Sequence, residues 1–193
     1  MLRLFSAAVV AFATVAFGGT YEIDSSHAAA NFSVRHLGVS NVTGTLGQVT
    51  GKVMLDDADP SKSTIEASID LKAIDTKWAK RDEHLRSPDF FDVEKFPTLS
   101  FKATRVQKLS KTRFKITGDL TMHGVTKPVT LDAEISAEVA NPFSGHATRA
   151  VTATGALNRQ DWSLKWQAPA EAVKFVGDEV KLSIEAELVN KTK

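Results

Sequence analysis

The residues best suited to chemistry are the five histidines, His27, His36, His84, His123 and His146. Imidazole changes charge near neutral pH and can offer a nitrogen to a metal, so acid–base work and metal ligation are the chemistries to test. Their spacing favours neither. Metal ligands recur at i, i+4 on a helix or i, i+2 on a strand, and no two of these histidines are so placed. The chain has no cysteine, which removes thiol catalysis, haem attachment through thiols and thiolate zinc sites. It also lacks a Gly-x-Ser-x-Gly elbow, a phosphate-binding Gly-Lys-Thr loop and a His-Glu-x-x-His pair. These patterns call for no catalytic residue, no metal and no cofactor.

What remains for polar side chains is recognition. His36 continues the face formed by Ala30, Phe32 and Val34, so it can point inward at a strand end and bond a ligand head group. A bond to a neighbouring backbone group or carboxylate would satisfy it equally well. Arg81, Asp82, Glu83, His84 and Arg86 form a charge run, the usual mark of a solvated helix face. His84 and Arg86 are singled out because they flank a phenylalanine-rich stretch. That stretch, Arg81 to Phe101, reads RDEHLRSPDFFDVEKFPTLSF. It holds Phe90, Phe91, Phe96 and Phe101, half of the eight phenylalanines outside the N-terminal apolar run. A helix starting near Lys77, capped by Asp75 or Thr76, fits its first part. Ser87-Pro88-Asp89 should end that helix. Phe90 and Phe91 are adjacent, so one should fill core while the other faces a cavity. Ordinary core packing of all four rings is the plain alternative.

Around this stretch the chain alternates apolar and polar residues with period two, the pattern of half-buried strands. Eight strands are expected. The first carries Ala30, Phe32 and Val34 on one face. The second, about Val42 to Asp56, carries Val49, Val53 and Leu55, with Gly44, Gly47 and Gly51 marking a bulge or bend. Inward sets follow in order: Ile65, Ala67, Ile69; Leu99, Phe101, Ala103; Phe114, Ile116, Leu120, Met122; Val129, Leu131, Ala133, Ile135; Val151, Ala153, Leu157; and Val180, Leu182, Ile184, Ala186, Leu188. Residues 123–127 read as a hairpin loop with Gly124 at the tight position. A longer connection, 159–178, carries Trp162, Trp166 and Pro169. The expected fold is all-β, an eight-stranded antiparallel up-and-down barrel with a short helical insertion between its third and fourth strands. Such a barrel has room for side chains or one small ligand. A β-sandwich would give the same periodicity.

Residues 1–18 read as a secretory signal: Arg3, an apolar run from Leu4 to Phe17, and small residues Ala16 and Gly18 for cleavage after Gly18. An uncleaved N-terminal anchor is the alternative. The expected destination is the periplasm or the exterior, with residues 19–193 as one domain. Removing Arg3 from 24 basic residues leaves them equal to the 23 acidic ones. A neutral chain has no general field for nucleic acid.

Several segments then resemble the YceI-like family of exported, lipocalin-like barrels. They are Tyr21-Glu-Ile-Asp-Ser-Ser-His27, Phe32-Ser-Val-Arg-His-Leu-Gly38, Arg81 through Asp92, Phe96-Pro97 with Phe101, and Gly118 through Val129. Asn158-Arg159 with Asp161, and Val176-Gly-Asp-Glu-Val180, continue the match. Ala28-Ala29-Ala30 departs from the family pattern and opens space in the first strand, and Trp162 stands where a smaller residue is common. The resemblance implies a binding or carrier protein, not an enzyme, for a polyisoprenoid, a quinone or a similar amphiphilic lipid. Transient contact with a membrane follows from that, and the assembly is open between monomer and homodimer. On this reading Phe32, Val34, Leu120, Met122 and Ile184 are wall residues. Leu85, Phe90, Phe91 and Phe101 form a gate, and His36, His84 and Arg86 meet the head group. A filled-core interaction module without ligand, or a lipid hydrolase or isomerase, are the readings from other classes.

Overall fold

The computed structural model describes residues 18–167 and 174–191. Residues 1–17 of the expected signal segment, 1–18, and Pro169 lie outside the described residues. Ten strands form one sheet: β1 (Gly18–His36), β2 (Ser40–Thr45), β3 (Gln48–Asp56), β4 (Thr64–Asp70), β5 (Thr98–Lys108), β6 (Arg113–Met122), β7 (Val125–Ile135), β8 (Val139–Ala140), β9 (Ala147–Asn158) and β10 (Val176–Asn190). Helix α1 (Ala79–Arg86) lies between β4 and β5. Consecutive strands pair antiparallel from β1 and β3 round to β7 and β9, and β10 pairs with both β9 and β1. That double pairing closes the sheet into an eight-stranded up-and-down barrel and removes its edges. The two-residue β8 pairs β9 beside the barrel, and β2 with β3 serves as one barrel strand.

The register sets the inward faces of neighbouring strands side by side. Phe32 pairs with Leu182, Val34 with Val180, and Ala30 with Ile184. Ile184 then pairs with Ala153, and Phe101 with Leu120. A one-residue slip would turn each apolar set outward, so the alternating pattern itself fixes the pairing.

Four expectations need correction. The first strand begins at Gly18 rather than near Ala30. A register shift between Asp24 and Ala28 changes its parity, so Tyr21 and Ile23 share the interior with Ala30 and Phe32. The second strand is two, broken at Leu46–Gly47, where Gly47 has φ 142°. The helix starts at Ala79, because Lys77 takes a left-handed φ of 63°. No side chain caps its start from Asp75 or Thr76. Instead the Asp82 carboxylate reaches back, accepting from the Thr76 amide at 2.8 Å and hydroxyl at 2.5 Å. Finally, the 123–127 loop is a two-residue turn of His123 and Gly124, both at positive φ, the mirror-image turn that suits twisted hairpins.

The bulge in β1 has a pH consequence. Asp24 accepts from the Ser26 hydroxyl at 2.6 Å and amide at 3.0 Å, and lies 2.9 Å from His27 Nδ1. The Ser26 bond first, then His27, pulls the Asp24 pKa down to about 2. Its folded value thus lies below the unfolded one near ~3.9. The stabilisation is complete above the unfolded value and is lost as pH falls through the folded one. Asp24→Asn is expected to flatten the pH dependence of urea unfolding between about pH 4 and pH 2, relative to the unmodified chain.

Candidate functional site

The barrel encloses a cavity of about 770 Å³, within the ~300–1,000 Å³ usual for small-molecule sites. Its wall is built by strand parity. Phe32 and Val34 of β1, Leu120 and Met122 of β6, and Ile184 of β10 all line it, as expected. Several inward residues keep part of their surface uncovered although they face the interior: Val34, Phe101, Leu157, Leu182 and Ile184. A filled core would cover them, so the barrel is a container rather than a packed interior. Gly118 allows Phe101 its place on this wall, since a Cβ there would overlap the ring.

One end is closed by α1 and the turns after it. Arg81, His84 and Leu85 line the cavity. They fall at i, i+3 and i+4, so they share one helix face. Trp78, just before the helix, lines the cavity too but is 58% exposed, with Arg81 5.4 Å above its ring. Phe90 and Phe91 were expected to diverge. They do not: both are buried and both line the cavity, because residues 87–97 run as turns and irregular chain. Phe96 instead sits outside, 4.9 Å from the His123 ring.

The head-group candidates separate. His36 lines the cavity, with its ring 4.7 Å from Phe175. His84 lines it as well, packs edge-on to Phe90 and Trp166 at 5.0 Å each, and bonds Asp89 at 2.8 Å. That His–Asp pair lies half-exposed at the rim. Arg86 does not reach the cavity. It points to the Ile74 carbonyl at 3.4 Å and ties the insertion to the preceding turn.

Trp166 and Phe175 were not anticipated as site residues. They complete an aromatic arc from His36 through Phe175 and Trp166 to Phe90 and His84 across this end. Both belong to an irregular connection, where no period marks an inward face. Arg159, 3% exposed, holds that connection in place. It donates to the carbonyls of Gly177 (2.8 Å), Val176 (3.2 Å) and Leu164, and lies 3.6 Å from Asp178. Burial pulls its pKa below the ordinary guanidinium value, and Asp178 offsets part of that. Trp162, 2% exposed, donates its indole N–H to the Leu120 carbonyl at 3.0 Å and packs behind the wall.

Charged groups on the lining are sorted by end. Arg35, Lys80, Arg81 and Arg159 lie with the helical insertion, whereas Asp56, Asp57 and Glu134 lie at the opposite end. Among the described residues, the one grouping of metal-ligating type is Asp24, His27 and Glu187, whose ligand atoms lie within 4.8 Å of one another. It sits on the outer wall, away from the cavity lining.

A closed antiparallel barrel around an apolar cavity, with a helical, aromatic insertion at one end, is lipocalin-like in fold. The chain belongs to the YceI-like family: the YceI-like domain model matches residues 21–188. Protein YceI of Escherichia coli O157:H7 is 36% identical over 167 residues, 86% of each chain. A UPF0312 protein of Photorhabdus laumondii matches to the same extent. Among solved structures, a Campylobacter jejuni YceI protein is similar at TM-score 0.70 and 28% identity, covering 81% of this chain and 90% of that one. A polyisoprenoid-binding domain from Saccharophagus degradans shares the fold at TM-score 0.62 and 14% identity, covering 88% and 98%.

Proposed function

We propose that this chain is an exported carrier that holds one long-chain amphiphile of isoprenoid type, such as a polyprenyl lipid or quinone, inside its barrel. The observation that carries the reading is the enclosed apolar cavity whose wall residues remain uncovered from inside. Two comparisons support it: the YceI-like family match, and the shared fold with the polyisoprenoid-binding domain of Saccharophagus degradans.

The energetics say where selectivity must lie. A 40-carbon tail leaving water would gain roughly 30 kcal/mol at ~0.8 kcal/mol per methylene. That exceeds the ~18–21 kcal/mol at which non-covalent affinity saturates. Such a lipid starts in a membrane, where its tail is already dry. Moving it into the barrel is therefore close to neutral in hydrophobic terms, and transient membrane contact is the natural route. Head-group contacts, the fit of the bore and the aromatic arc at the insertion decide retention. His36 and His84 are the polar candidates that reach the cavity, and His84 is already oriented by Asp89.

Native mass spectrometry on protein purified from its own compartment tests the proposal. The expected result is a bound species released with organic solvent and identified as a prenylated lipid. Purely apo protein, together with no uptake of polyprenyl alcohols or quinones in vitro, would sink it.

A further inference from the structure

The end of the barrel opposite the insertion is closed by charge. Tyr21 of β1 and Arg149 of β9 share a face with the cavity-lining Ile23 and Val151, two residues away on each strand, but sit behind the lining rather than in it. Tyr21 is 2% exposed and pairs in register with Val53, and Arg149 pairs with Leu188. The Arg149 guanidinium grips the Asp57 carboxylate through two nitrogens, at 2.9 and 3.4 Å. Its Nε lies 3.7 Å from Glu138, and its Cζ 5.8 Å from the centre of the Tyr21 ring. The Tyr21 hydroxyl donates to Glu138 at 2.5 Å. Burial, and then the Glu138 bond, push the Tyr21 pKa up to about 12.

Asp57 opens the turn that crosses this end. Asp56 accepts from the amides of Ala58 and Asp59, and the Ser63 hydroxyl accepts from the Asp56 amide, so the turn is internally braced. Asp57, Pro60 and Ser63 face the cavity directly. The apolar lining at this end, Leu55, Ile135 and Val151, thus gives way to the Asp57 carboxylate, with its partner Arg149 directly behind it.

We infer that the Arg149–Asp57 pair, backed by Tyr21 and Glu138, is a floor that sets the longest tail the cavity takes fully. This rests on the proposed lipid-carrier reading and deepens it by naming tail length as a selected property. Each further isoprene unit gains by leaving water only while it meets apolar wall. At the floor, the next unit would have to separate a partly buried, bidentate pair and strand its charges, a cost of the same size as a unit's gain, so affinity stops rising. A plug needed only for stability would be better built from apolar side chains, since a buried ion pair adds little net stability.

The test uses the full delipidated chain and a series of all-trans polyprenyl alcohols of three to nine isoprene units. Affinity should rise with length and then level off. In Arg149→Met the levelling point should move to longer alcohols, with at least a threefold relative gain for the longest. Asp57→Asn, which keeps the same shape and leaves Arg149 beside Glu138, should move it in the same direction. It decides the matter should Arg149→Met not fold. A purely structural floor would weaken or leave unchanged all lengths alike, so an unmoved levelling point in cooperatively melting variants overturns the inference. Absence of binding at every length in the unmodified chain overturns the carrier reading with it.

Discussion

Arg159→Met is expected to lower the unfolding free energy by about 3–5 kcal/mol, the range for removing one partner of a buried charge pair. The methionine nearly replaces the volume, so the loss reports on polar contacts rather than on a cavity. The Gly177 and Leu164 carbonyls lose their Arg159 donor, the Val176 carbonyl keeps Gln167 Nε2 at 2.8 Å, and Asp178 loses one of its cations. Each stranded buried acceptor costs about 1–3 kcal/mol, though relaxation recovers part of the sum. Asp178 is not left alone, because Gln160 donates to it at 2.8 Å and Lys174 also reaches it. For a chain of this size, 1 kcal/mol shifts Tm by about 2–4 °C, which places the expected drop near ~10 °C. Arg159→Lys restores the charge but not the planar fork, so it should recover less than half of the loss. Differential scanning calorimetry of the three proteins decides. A Tm within about 2 °C of the unmodified chain would show that the carbonyls find other donors. Because the same carbonyls flank Trp166 and Phe175 on the lining, the variant should also release bound lipid faster.

The barrel was legible because strand side chains alternate with period two, and one slip would expose a whole face. Phe32, Val34, Leu120, Met122 and Ile184 could be placed on the wall from parity alone. Parity also explains what was hidden. The bulge between Asp24 and Ala28 switches it, so Tyr21 was not seen as facing inward, and an inward Arg149 in an alternating strand has no apolar signal to betray it. Trp166 and Phe175 lie in a connection with no period at all, and only their aromatic character marked the segment. Arg86 was misassigned by sequence proximity. It stands two residues after His84, about 200° round a helix, so the two cannot face the same cavity. Arg159 was visible only through the family resemblance, because the carbonyls it holds belong to residues up to eighteen positions away.

Ile184→Trp should separate a container from a filled core with one substitution. Ile184 sits midway along β10, paired with Ala30 on one side and Ala153 on the other. Two small flanking residues leave room for an indole to lie across the bore. In a packed interior, adding that much volume costs about 1–3 kcal/mol through forced rotamers and backbone shifts. Here the added ring enters space that is already present, and the apolar surface it covers offsets part of any strain. The expected change in stability is therefore below about 1 kcal/mol, of either sign. Binding should respond in the opposite proportion. The indole occupies the path a tail must follow from the insertion toward the floor, so polyprenyl affinity should fall at least tenfold, about 1.4 kcal/mol. Shorter tails should suffer less, because they end before reaching the indole. A large loss of stability with unchanged lipid uptake would mean that residue 184 belongs to a filled core and that any ligand binds elsewhere. A stable variant that has lost long tails and kept short ones would place the lipid along the barrel axis, between the aromatic arc and the Arg149 floor.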